Sequence, residues 1–217
     1  MTTAAPSPAR IAPLALWRVA EAFLRLLHAL FGAPEEVAAR HMLTVGAHAL
    51  LASWLRSAEA LMRRLLLIEA AAFPKPNARP LLHPTRRRAR KLMAFMPGEP
   101  EKWRVGFRCV EPLRPRPPTS PQAGGTPAVR RRIAREERAS YERFRSAWAL
   151  AERYEALIRV FNDPAPYARR LARRLHACPH LLAEALHAPP EAAHRIDRFD
   201  EAGDQAETLW RRHFSSA

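Results

Sequence analysis

The amino-acid sequence predicts an all-α protein, a bundle of three long helices with several short helices at its C-terminal end. Alanine and leucine recur throughout, whereas the 217 residues include only 7 glycines and 3 tyrosines, a balance that favours helix over sheet. Apolar residues also recur every three or four positions over long stretches, as they do on the buried face of an amphipathic helix. A hydrophobic content of 48% is enough for a packed core.

Three segments carry this helical periodicity over a long distance. The first helix is expected over residues 11–31, the second over residues 34–72 and the third over residues 127–162. Gly32 is a natural stop for the first helix, and Pro34 suits the first turn of the second. Long helices that follow one another in the chain would pack as antiparallel neighbours in a bundle.

Prolines divide the rest of the C-terminal part into short helices. Pro164 opens one helix that would end near Ala177, and Pro179 and Pro190 each stand where a further helix would begin. A last helix is expected over residues 201–214. These short helices would cover one end of the bundle.

The positive charge of the chain is concentrated in one proline-rich segment. The whole chain has a net charge of +15. Residues 74–132 hold fifteen cations against three anions, whereas the residues on either side are nearly neutral. Charge of this kind points to acidic partners, not to a fold. We therefore divide one composite domain into a disordered tail (1–10), a helical hairpin (11–73), a basic connecting segment (74–126) and a C-terminal helical part (127–217).

The sharpest candidate site is a cluster of arginines in this basic segment. Five of six consecutive residues are cations, and a second short cluster follows further along the chain. The predicted polyanion-binding residues are Arg86, Arg87, Arg88, Arg90, Lys91, Arg130, Arg131 and Arg132. Cations at this density neutralise phosphates and release counterions, so nucleic acid or another polyanion is the first predicted partner. A solvated basic linker that binds nothing specific is the plain alternative.

Residues 102–110 alternate between apolar and mostly basic side chains, and this period of two predicts one short strand. Trp103, Val105 and Phe107 would lie on one side of it and could bind a protein partner. The protein would then act as an adaptor or a regulatory scaffold. The alternative is that the same side chains are buried against the chain's own helices, as a covering strap.

Residues 167–176 form a basic amphipathic pattern. Four arginines, Arg169, Arg170, Arg173 and Arg174, would oppose a narrow apolar face. Such a helix can lie on an anionic membrane, which makes a peripheral membrane protein the third functional alternative. The narrow face favours ordinary packing in the core.

Several possible metal ligands have weak support. His176, Cys178 and His180 stand close together, but their spacing matches no zinc pattern, and we predict no metal site. His41 and His48 are seven residues apart and would share a helix face, about 10 Å from each other. That distance is too long for both to bind one metal, so a packing interface is the better interpretation.

Acidic residues are concentrated near the C-terminus. They are Asp197, Asp200, Glu201, Asp204 and Glu207. A solvated helix face explains them most simply. A second interpretation is that this acidic patch docks on the chain's own arginine cluster.

The sequence contains no phosphate-loop, dinucleotide-binding, zinc-protease or serine-hydrolase motif. We therefore predict a non-enzymatic binding protein without a cofactor, while an all-helical enzyme with scattered acids stays open. Two cysteines outside any CxxC pattern, the lack of a persuasive signal peptide and the lack of an 18-residue apolar stretch favour the cytoplasm. The strong preference for arginine over lysine suggests a bacterial genome rich in GC.

Overall fold

The computed structural model describes residues 11–75, 96–110 and 143–215. Within them the protein is mostly helical, as the sequence predicts. A single 3₁₀ turn, Pro100–Lys102, interrupts the middle stretch. The other elements are α1 (Leu14–Phe31), α2 (Pro34–Ala39), β1 (Met42–Thr44), α3 (Val45–Ala70), β2 (Phe144–Ser146), α4 (Trp148–Asn162), α5 (Ala165–Ala177), α6 (Leu181–Leu186), α7 (Glu191–Arg195) and α8 (Phe199–Ser215).

Helix α3 is the centre of the structure. Fifteen of its 26 residues are buried, including every residue from Leu65 to Ala70. A helix that is apolar on several sides must be covered on several sides, and α1, α4, α5 and α8 all pack against it. The core is therefore a layer of helices around one central rod.

The predicted second helix, residues 34–72, is interrupted after α2. His41 has a φ of +55°, in the left-handed region that a right-handed helix does not use, and β1 follows directly. Thr44 then caps α3, because its side-chain oxygen accepts a hydrogen bond from the backbone N–H of Ala47 at 3.2 Å. The prediction of one continuous helix over residues 34–72 is therefore wrong in its N-terminal part. His41 precedes α3 and does not share a helix face with His48.

The predicted third helix, residues 127–162, begins at Trp148 in the part of the chain that the structure describes. Strand β2 precedes it and pairs antiparallel with β1, with Leu43 opposite Arg145. Leu43 is the one buried residue of this two-stranded ribbon. Residues 127–142 lie outside the described residues.

The predicted strand over residues 102–110 does not form. The structure describes these residues, and they have no pairing partner in a sheet. Their burial still alternates: Trp103 and Phe107 are buried, whereas Arg104 and Arg108 are exposed. The period of two comes from an irregular strap that lies with one side on the bundle. We call residues 96–110 the strap.

The short C-terminal helices confirm the divisions predicted from proline. Helices α5, α6 and α7 begin within two residues of Pro164, Pro179 and Pro190. The last helix, α8, begins two residues earlier than expected. It is held to α3 by Trp210, whose buried indole N–H donates a hydrogen bond to the carbonyl of Leu67 at 2.9 Å.

The residues that lead into α1 are held by a carboxylate from a distant part of the chain. The Glu69 carboxylate, only 7% exposed, accepts hydrogen bonds from the backbone N–H groups of Ile11 and Ala12 and from the indole of Trp17. The distances lie between 3.0 and 3.2 Å. The carboxylate satisfies the buried donors of Ala12 and Trp17, and it lies near the positive end of the helix dipole. Glu69 thereby joins the start of α1 to the end of α3.

We expect Glu69→Gln to lower the free energy of unfolding by about 2–3 kcal/mol, because one neutral oxygen would replace an anionic acceptor of three donors. Glu201→Gln is the control, since Glu201 is exposed and its ion pair within the described residues is with Arg198; its effect should stay below about 0.5 kcal/mol. Urea unfolding of both variants measures the difference. Equal effects would contradict a structural role for the Glu69 carboxylate.

Candidate functional site

Both predicted arginine clusters, residues 86–91 and residues 130–132, lie outside the described residues. The same holds for the predicted tail, residues 1–10. The structure does describe the start of the basic segment, up to Lys75, and the strap, which lies within the segment. We call Phe73 and Phe107, where these described parts contact α5, the two junctions.

The first junction is at Phe73, three residues after the end of α3. The guanidinium of Arg169 on α5 lies 5.5 Å from the centre of the Phe73 ring. The Phe73 carbonyl lies 3.5 Å from the Nε2 atom of His176, two turns further along α5. The chain therefore enters the basic segment, at Lys75, beside α5.

The strap is anchored to α4 through Trp103. Its ring centre lies 4.6 Å from that of Trp148, edge to face, and its indole N–H donates to the carbonyl of Met96 at 2.7 Å. Arg159 of α4 donates to the backbone carbonyls of Trp103 and Pro100 at 3.1 and 2.5 Å. These bonds fix the middle of the strap on the bundle.

The end of the strap is the second junction, and it also lies on α5. The ring of Phe107 meets that of Tyr167 edge to face, with 6.4 Å between the ring centres. Burial raises the pKa of the Cys109 thiol, and nearby positive charge opposes the rise in part. The cations that exert this opposing effect are Arg170, Arg174 and Arg63. Two arginines of α5 therefore lie within electrostatic range of the point where the chain leaves the strap.

The predicted partner-binding residues are occupied within the chain. Trp103 and Phe107 are 5% and 8% exposed and belong to the hydrophobic core, against which the half-buried Val105 also packs. Of the two interpretations of this segment, the structure therefore shows the second, a strap that covers the chain's own helices. Binding a partner through these rings would first require the strap to leave the core.

Helix α5 separates apolar from basic side chains across its axis. On the α3 side it buries Ala168, Leu171, Ala172 and Leu175, each at most 1% exposed. On the other side it exposes Arg169, Arg170, Arg173 and Arg174, which we call the arginine face. Residues four apart lie on the same side of a helix, about 6 Å along its axis. Arg169 and Arg173 therefore form one column along the helix, and Arg170 and Arg174 form a second column beside it.

No ion pair of the described residues neutralises the arginine face. Helix α5 itself contains no acidic residue. Two of its arginines rest on aromatic rings instead: Arg169 on Phe73, and Arg170 on Tyr167 at 5.6 Å. Such contacts contribute about 0.5–1 kcal/mol at exposed sites and leave the positive charge in place.

The acidic patch has partners of its own. Its described ion pairs are Asp200 with Arg64, Glu201 with Arg198, and Glu207 with Arg211. Docking of this patch on the central arginine cluster stays a prediction, because the cluster lies outside the described residues. The patch does make residues 178–217 acidic as a group, with seven anions against four cations.

The described residues contain no group of three or more histidines, cysteines or acids that could hold a metal ion. His176 lies against the rings of Trp210 and His213, with centre distances of 5.3 and 6.2 Å. Its neighbours in space are thus aromatic side chains of α8. These contacts indicate that the His176 side chain serves to pack α5 against α8.

Neither a family model, a curated protein nor a solved structure matches this chain. Among the helices of the described residues, none is both long and apolar enough to cross a membrane. The functional argument therefore rests on the charges and contacts of the arginine face and its two junctions. The four arginines were predicted as the basic side of an amphipathic helix, and the sequence signal that singles them out is four arginines and no acid within one helix.

We expect Trp103→Ala to lower the free energy of unfolding by about 3–5 kcal/mol, because the ring is buried and its removal leaves a cavity. Phe144→Ala is the control, since that aromatic side chain is 49% exposed and its loss should cost less than about 1 kcal/mol. Urea unfolding checks both values. An unchanged midpoint for Trp103→Ala would mean that the ring is available to a partner after all.

Proposed function

We propose that the protein binds nucleic acid through the phosphate backbone, with the basic segment, residues 74–132, as the contact region and the helical bundle as its support. One observation carries this proposal. Two described contacts, at Phe73 directly before the segment and at Phe107 within it, lie on α5, beside an arginine face that has no acidic partner among the described residues. Two exposed cations of the segment, Lys75 and Arg108, are each within two residues of such a contact.

The chemistry of these cations suits phosphate. A guanidinium is planar, stays charged at every physiological pH and can bind two phosphate oxygens at once. Each phosphate that is neutralised releases a condensed counterion, which makes the binding free energy strongly dependent on salt. With fifteen cations against three anions, the segment has the composition for such binding, which depends on charge and not on base sequence.

Membrane association is less well supported, although it would use the same arginines. A helix that lies in a membrane interface inserts its apolar face among the lipids. The apolar residues of α5 are buried against α3, so this helix has no such face to insert. Contact with lipid would be limited to headgroup charge.

A protein-binding function is the second candidate, and the β-ribbon favours it. Met42 and Phe144 are each 49% exposed. Strand alternation and the pairing of Thr44 with Phe144 put both on one face of the ribbon. Two exposed apolar side chains on one small surface suit a partner contact. An adaptor role would rest on this surface, not on the buried rings of the strap.

The proposal predicts a steep salt dependence. Fluorescence anisotropy of labelled DNA, as a single strand and as a duplex, should show binding at 50 mM salt. The affinity should then fall by about 10³–10⁵ between 50 and 200 mM if six to ten phosphates are contacted. Failure to bind either form at 50 mM salt would overturn the proposal.

Two charge-matched variants assign the effect to the segment. The cluster variant replaces Arg86, Arg87, Arg88 and Arg90 by Gln, and the control variant replaces Arg18, Arg25, Arg40 and Arg145, which are exposed on other elements. The salt slope on duplex DNA should become shallower by up to about 3–4 in the cluster variant, at about 0.9 for each lost phosphate contact. The control variant should change it by less than about 1.

A further inference from the structure

Several exposed arginines, such as Arg18, Arg40 and Arg145, have no ion pair within the described residues, but the arginine face brings four such arginines together on one helix. Arg25 pairs with Glu21, Arg198 with Glu201 and Arg211 with Glu207, each within one helical turn. Arg169, Arg170, Arg173 and Arg174 have no such partner, although they stand one turn apart in two columns. Like charges at this spacing destabilise a helix. An anion laid along α5 would relieve that repulsion.

The arginine face is also rigidly supported. The opposite side of α5 is buried against α3, with its apolar residues at most 1% exposed. Arg169 and Arg170 are each held over an aromatic ring that belongs to, or contacts, a junction of the basic segment. Groups that are already in place lose little conformational entropy on binding. This surface is therefore preorganised for an extended anion.

From this arrangement we propose that the arginine face is itself a binding site for the sugar–phosphate backbone of nucleic acid. It would hold one strand along α5 through contacts with phosphate alone. This inference rests on the proposed function and adds a second, fixed contact to it. The exposed Lys75 and Arg108, next to the two junctions, extend the positive surface towards the basic segment.

The backbone of a nucleic acid fits this site better than a lipid surface does. A strand carries regularly spaced phosphates and needs no apolar insertion. The large apolar side chains that are exposed in the described residues lie on other elements than α5. An interfacial helix needs such side chains to enter the lipid, so anionic lipid is treated as the competing outcome of the test.

The test replaces Arg169, Arg170, Arg173 and Arg174 by Gln in the full chain, which we call the α5 variant. Anisotropy is measured with the same single strand and duplex, alongside the control variant of equal charge. We expect the salt slope on duplex DNA to become shallower by about 2–4. At the lowest salt the α5 variant should bind at least roughly tenfold more weakly than the control variant.

A lysine version of the same four positions separates charge from folding. Because lysine keeps the charge but loses the guanidinium fork, it should restore most of the salt slope. Lysine and glutamine versions that bind equally weakly would show that the loss comes from something other than charge, and would overturn the inference. Circular dichroism of the α5 variant should match that of wild type, and its urea midpoint should change little, because the lost ring contacts and the relieved repulsion between like charges oppose each other.

The outcomes also separate this inference from the proposed function. If wild type binds DNA and the α5 variant binds equally well, the arginine face takes no part, and the inference fails while the proposed function stands. Flotation with phosphatidylserine vesicles supplies the other comparison. An α5 variant that loses vesicle binding but keeps DNA binding would assign the arginine face to lipid and contradict the inference. If wild type fails to bind DNA, both proposals fall.

Discussion

The burial of α3 on several sides is the constraint on which the rest of the structure depends. Its apolar residues include Leu65 and Leu66, both fully buried, and a single neighbouring helix could not cover them. The covering helices are fixed to α3 by hydrogen bonds as well as by apolar contact. Glu69 holds the start of α1, and Arg64 donates to the carbonyl of Phe199 at the start of α8 at 2.6 Å. The other helices of the bundle thus pack around α3.

This constraint also determines where the charge lies. Covering helices must turn apolar residues inward, so their cations are displaced to the outside. Helix α5 needs only a narrow apolar strip to cover α3, which leaves room for the arginine face on its outer side. Residues 133–217 are nearly neutral as a whole, with fourteen cations against thirteen anions. That average hides a separation between a helix with four cations and no anions and an acidic stretch, residues 178–217.

Local signals in the sequence predicted the helices well, because periodicity and proline act over short distances. The end of α5 at Ala177 follows from them. The β-ribbon was missed because three-residue strands carry almost no period-two signal and their partners lie a hundred residues or more apart. Thr44 was the overlooked local signal, as a good N-cap directly before α3. The four residues of the arginine face could be predicted from the sequence, but whether acids of the other described elements reach them depends on packing between distant parts of the chain.

Arginine footprinting of the full chain tests most directly whether the arginine face contacts phosphate. The protein is treated with phenylglyoxal, with and without a saturating DNA strand of about 20 nucleotides, longer than one single-strand site. Mass spectrometry then compares the modification rates of individual arginines. The account predicts that DNA slows modification at Arg169, Arg170, Arg173 and Arg174 several-fold and leaves Arg25 and Arg40 unchanged. Equal rates at the arginine face with and without bound DNA would contradict it.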